Sequence, residues 1–195
     1  MIRNKKELKE YLAYEKALYF GGEKGSRLQA WLLRSKFYRI WQFLWTLRQA
    51  EYHKNRSACG GRSPRLLQLW DKMAFIWYHR RKYVLGNRLG FEIPENCFDK
   101  GLMIYHIAPI VVNEDARIGA DCRITGNFCI GNTGAGTKSP VLGKGITAGW
   151  GASVIGDIRI ADGVTIGAGS VVVRNVLQEG ATVAGVPGKV LHLAE

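Results

Sequence analysis

Histidines and cysteines are the side chains best suited to chemistry near neutral pH, and this chain has few of either. Of its four histidines, His53 and His79 fall in the first half and His192 lies near the end, so His106 is the only one between Arg88 and Lys189. An imidazole with a free pKa of about 6.5 can draw the proton from a hydroxyl as its oxygen attacks a carbonyl. It works better when its second nitrogen is held, because that fixes tautomer and orientation. The cysteines, Cys59, Cys97, Cys122 and Cys129, show no paired metal-type spacing. Four in a chain of 195 residues do not make a disulfide framework, so they are expected to be reduced thiols of a cytoplasmic protein.

The elements that must position His106 show a period. From Val112 an aliphatic or small residue returns every six positions: Val112, Ile118, Ile124, Ile130, Leu142, Ala148, Val154, Ile160, Ile166 and Val172. Gly136 alone breaks the series, inside the stretch GNTGAGTKSP, which reads as a loop leaving a coil. Glycine often follows the repeating residue, and a small or apolar residue such as Cys122, Ala152, Val164 or Ser170 comes four positions after it. A helix cannot use a period of six, and alternating strands would show a period of two. The pattern predicts one short strand and one tight turn per hexad, three hexads to a triangular coil, and coils stacked about 4.8 Å apart around an aliphatic interior.

The two halves of the chain differ chemically. Residues 1–89 carry 20 Lys+Arg against 6 Asp+Glu, net +14, and five of the six tryptophans; residues 90–195 carry 8 against 10, net −2. The expected domains are therefore a basic, aromatic helical region over 1–89 and the coils over 90–195. Residues Ser26–Tyr52 read as one or two helices. A second helical stretch starts near Pro64, after the break at Cys59-Gly60-Gly61-Arg62-Ser63, and is expected to end at Gly86 and Asn87. The N-terminus lacks the apolar core of a secretory signal, and no run reaches the roughly eighteen apolar residues of a spanning helix.

The hexads, together with GFEIPENCFDKGLMIYHIAPIVVNEDARIG before them, resemble the hexapeptide-repeat acyltransferases, in particular the serine acetyltransferases and their relatives that acetylate sugars. That resemblance covers roughly residues 90–190. It implies an α+β chain in which the helical region is followed by a left-handed parallel β-helix; the handedness comes from the likeness and not from the spacing. It further implies an acetyl-CoA-dependent O-acetyltransferase, assembled as a homotrimer with active sites between subunits and, through the helices, as a candidate hexamer. His106 occupies the place of the family's catalytic base. Glu92 matches the carboxylate that holds it, one residue closer in sequence than in the family. The amide of Asn132, in the turn with Thr133 and Gly134, matches the donor to the negative charge that develops on the thioester oxygen. Trp150 and Ala168 match positions along the coenzyme A groove, where Trp150 departs from the family's small residue. Gly185, Val186, Pro187 and Lys189 match the closing loop near the phosphates or adenine.

The acceptor does not carry across. Where the serine enzymes have an aspartate directly before the base, this chain has Tyr105, and where they have an Arg-His pair it has Lys138-Ser139. An aromatic ring suits a sugar face, so a carbohydrate hydroxyl is the expected acceptor and serine the alternative. A non-catalytic β-helical scaffold is the rival of another class, but it has no use for His106 or the glycine-rich loop. A zinc site on such coils needs three histidines, and one in-coil histidine cannot supply them, so no metal is expected. Three uses of the basic half stay open: a helical cap, contact with anionic membrane through residues 26–52, whose FYRIWQFLWTLR has an interfacial composition, and capture of an anionic polysaccharide. No recognition motif for nucleic acid accompanies the charge.

Overall fold

The computed structural model describes residues 1–21, 27–58, 64–134 and 138–192. Cys59, Gly60, Gly61, Arg62, Ser63, Ser26 and the series-breaking Gly136 lie outside them. The chain forms two compact units, residues 1–89 and 90–195.

The first unit is helical: α1 (Lys5–Phe20), α2 (Arg27–Leu32), α3 (Lys36–Ala58) and α4 (Arg65–Leu89). Asn4 caps α1 by accepting from the Lys6 and Glu7 N–H groups, and Glu7 reaches back to the Arg3 N–H. Arg34, with φ of 50°, separates α2 from α3. In α3, Ile40, Phe43, Leu44, Leu47 and Ala50 recur at helical spacing and are all buried. Ile40, Trp41, Phe43, Leu44 and Leu47 of FYRIWQFLWTLR are thus part of this unit's core, which among the three uses favours the helical cap over an interfacial face; the composition of the two kinds of helix is the same, and only burial separates them. Arg48, fully buried, lies between Glu15 at 2.6 Å and Glu51 at 2.9 Å, which joins α1 to α3. Asp71 of α4 meets His53 Nδ1 at 2.8 Å and Arg56 Nε at 3.2 Å, which joins α4 to α3.

α4 runs to Leu89, two residues past the expected stop at Gly86 and Asn87, and Gly90, with φ of 75°, turns the chain out of the helix. Gly86 is buried inside α4, where a helical glycine costs only about 1 kcal/mol. The other side of α4 leaves Leu66, Leu69, Trp70, Met73, Ile76 and Trp77 each more than half exposed. No helix among the described residues is long and apolar enough to cross a membrane.

The second unit consists of short strands in three sheets that the chain visits in rotation. One sheet stacks β1 (Phe91–Glu92), β3 (Ile110–Val112), β6 (Phe128–Gly131), β9 (Ser153–Ile155) and β12 (Val171–Val172). The second stacks β4 (Arg117–Ile118), β7 (Val141–Leu142) and β10 (Arg159–Ile160). The third stacks β2 (Met103–Ile104), β5 (Arg123–Ile124), β8 (Thr147–Ala148), β11 (Thr165–Ile166), β13 (Thr182–Ala184) and β14 (Lys189–His192). All pairings are parallel except the closing β13–β14 hairpin. Val154 pairs with Val172, eighteen residues on, so three hexads make one circuit. Ile118 pairs with Leu142, twenty-four on, because the segment around 131–140 adds six.

Every one of the ten repeating residues is 5% exposed or less. Their second-column partners Cys122, Ala152, Val164 and Ser170 are also buried. Each fully buried aliphatic contributes roughly 1.5–3 kcal/mol, so the column is the main source of stability of this unit.

Candidate active site

The register of the third sheet sets up the site. Ile104 pairs with Ile124, Ile124 with Ala148, Ala148 with Ile166 and Ile166 with Val183. The residues two places beyond those pairs are His106, Gly126, Trp150, Ala168 and Gly185. They occupy equivalent places at one corner of successive coils. Three expectations made separately, the base, the groove and the closing loop, thus fall on one line.

Along that line, His106 and Trp150 are two rungs apart, roughly 10 Å at the spacing of paired strands. Their rings nonetheless meet edge to face, with centroids 6.2 Å and planes 73° apart. Gly126, on the rung between them, makes this possible. A Cβ at Gly126 would lie 2.6 Å from Trp150 Cζ3 and 2.9 Å from Cε3, and its φ is +148°. Ala108 Cβ stands 3.3 Å from the same point and closes the notch. Trp150 is 47% exposed, with one part of its ring seated over Gly126 and the rest open to solvent. The backbones of the two turns are tied as well, since the Gly151 N–H donates to the Gly126 carbonyl at 3.2 Å and the Gly169 N–H to the Trp150 carbonyl at 2.8 Å. The place of Gly126 beside His106 was missed because the period links residues 18 or 24 apart, as it does Gly126 and Trp150, whereas β2 pairs with β5 at a separation of 20. The signal that could have found it is an unusual Trp in a column of small residues.

The other candidates sit elsewhere. Tyr105 is exposed, directly before His106. Glu92 is exposed on β1, in register with Val111, and so belongs to the sheet on the next side of the corner. Asn132, Thr133 and Gly134 follow β6; the Asn132 side chain accepts from the Gly134 N–H at 3.1 Å, which shapes the turn. β6 lies between this turn and the His106 corner, and its four residues span roughly 13 Å of extended chain. Ser139 is buried, and its hydroxyl donates to Asn113 Oδ1 at 2.8 Å. Lys138 pairs on the surface with Asp157 at 3.2 Å. In the closing loop, Gly185 N–H donates to Ser170 Oγ at 3.2 Å, Val186 and Pro187 are exposed, and Lys189 is exposed opposite Ala184.

Cys97, Cys122 and Cys129 are thiols outside any disulfide among the described residues, and burial pushes the Cys122 thiol up to about 12. Among the described residues no cluster of three or more His, Cys, Asp or Glu could hold a metal ion.

No protein-family model matches the chain. A serine acetyltransferase of Synechococcus elongatus is 40% identical over 106 residues, which are 53% of this chain and 43% of that protein. This chain therefore spans less than half the length of that curated relative. In fold, serine acetyltransferase from Brucella abortus in complex with coenzyme A is similar over 98% of this chain and 70% of that one, with TM-score 0.72 and 22% identity. Soybean serine acetyltransferase complexed with serine is similar over 95% and 70%, with TM-score 0.70 and 23% identity. The chain is thus similar in sequence over about half its length, and in fold over nearly all of it, to serine acetyltransferases, which are hexapeptide-repeat acyltransferases.

Proposed function

We propose that the chain is an acetyl-CoA-dependent O-acetyltransferase, with a left-handed parallel β-helix as its second unit and His106 as general base. The observation that carries this reading is the line His106, Gly126, Trp150, Ala168, Gly185, which puts one exposed imidazole at the end of a column of mostly small residues. That column fits coenzyme A. Ala168 and Gly185 leave room for an extended arm against the backbone, and exposed Lys189 offers a cation to phosphate. Acetyl-CoA supplies the thioester. His106 takes the proton of the acceptor hydroxyl, Glu92 on the adjoining sheet holds the imidazole, and the Asn132 amide answers the charge on the thioester oxygen.

The separation of the Asn132 turn from His106 supports a homotrimer in which the turn of one copy serves the histidine of its neighbour. The apolar side of α4 supports further assembly through the helices.

For the acceptor, the relatives favour serine over the carbohydrate expected from the sequence: their names specify it, and the soybean structure contains it. Exposed Tyr105 beside His106 is the observation that keeps a sugar acceptor in the test. Purified protein is incubated with acetyl-CoA and either L-serine or a set of nucleotide sugars, and free thiol is followed. Turnover with serine establishes the first reading and turnover with a sugar alone the second. Acceptor-dependent thiol release in neither case would refute the proposal.

A further inference from the structure

We infer that Trp150 sets the length of the acyl group this site accepts, and that Gly126 is the seat that lets it do so. The inference rests on the acetyl-transfer reading above. In that reaction the acceptor oxygen bonds to the acyl carbon, the carbon–sulfur bond breaks, and the hydroxyl proton passes through His106 to the departing thiolate. The acyl carbon must therefore come to the imidazole.

If the donor arm lies along Gly185 and Ala168, its acyl end reaches His106 across the rungs of Trp150 and Gly126. The space over Gly126 is where an acyl tail would extend, and the indole fills it. The Trp150 ring stands 2.6 Å from the place a Gly126 Cβ would take, Ala108 closes the far side, and the ring edge is against His106. A methyl group has room beside such a wall, but a longer chain needs the volume the indole holds. Replacing the ring by a methyl opens an apolar hollow over Gly126, bounded by Ala108. A pocket discriminates by about tenfold or more per methylene, so the effect is measurable.

The experiment compares wild type, Trp150→Phe and Trp150→Ala using acetyl-, propionyl- and butyryl-CoA. kcat/KM is measured for each donor, and calorimetric titration gives the affinity for coenzyme A and for butyryl-CoA. Wild type is expected to favour acetyl over butyryl. Trp150→Ala lowers that ratio at least tenfold and binds butyryl-CoA relatively more tightly than wild type does, with Trp150→Phe between. Thermal unfolding of each variant confirms that it is folded. A donor ratio and a relative affinity that stay the same across the three proteins would overturn the inference. If wild type releases no thiol from acetyl-CoA, the activity reading fails, while the titrations still test Trp150.

Discussion

The indole of Trp150 meets the imidazole of His106 edge to face across two rungs of the third sheet, over a glycine whose Cβ would collide with it. The contact links a residue in the middle of the coils to the proposed base near their start.

Gly126→Ala tests that seat. The new Cβ has to displace Trp150 and accept a φ of +148°, which side chains rarely adopt. The expected loss of stability is about 1–3 kcal/mol, read by urea unfolding. In a Trp150→Ala background the collision is gone and only the backbone strain remains, so the two losses should sum to more than the double variant shows. Strict additivity would mean that the ring does not sit on Gly126.

The helical unit depends on the Glu15–Arg48–Glu51 group. Burial works against the charge of Arg48, but the two carboxylates outweigh it and hold the guanidinium above its ordinary range. Arg48→Met removes the guanidinium from between two buried carboxylates, and should cost about 3–5 kcal/mol by urea unfolding. A loss below about 1 kcal/mol would show that the group is not closed in solution.

Cys122 makes the second unit sensitive to alkali. Its thiol is raised from 9.0 to about 12 by burial. Below pH 9 both states keep the proton and stability is unaffected. Between 9 and about 12 the unfolded thiol ionises while the native one does not, so stability falls with rising pH, at a slope approaching about 1.4 kcal/mol per pH unit. Cys122→Ala should remove that component, leaving a shallower decline between pH 9 and 10.5.

Much of the fold was legible because its inward positions repeat on a fixed count: all ten hexad residues are buried as the spacing requires. The helices were less so. α1 buries Leu8, Glu15 and Tyr19, and a buried carboxylate is invisible in a pattern of polarity. Trp41 and Leu44 belong equally well to a core helix and to an interfacial one until burial is known. At the site, His106, Trp150, Ala168 and Gly185 could each be named from the sequence, but the alignment of His106 with the others could not, because the step of 20 from Ile104 to Ile124 is outside the period.

Ser139 separates a structural role from an acceptor role. Its buried hydroxyl donates to Asn113, so Ser139→Ala should cost about 1 kcal/mol of stability and leave the KM for the acceptor unchanged. A raised KM without loss of stability would place the hydroxyl on the substrate.

The most direct test of the account is thiol release from acetyl-CoA by wild type and by His106→Ala, in the presence of the acceptor that supports turnover. The account predicts acceptor-dependent release by wild type, reduced about 10²–10⁴-fold in His106→Ala with the fold intact by circular dichroism. Equal rates in the two proteins would contradict it.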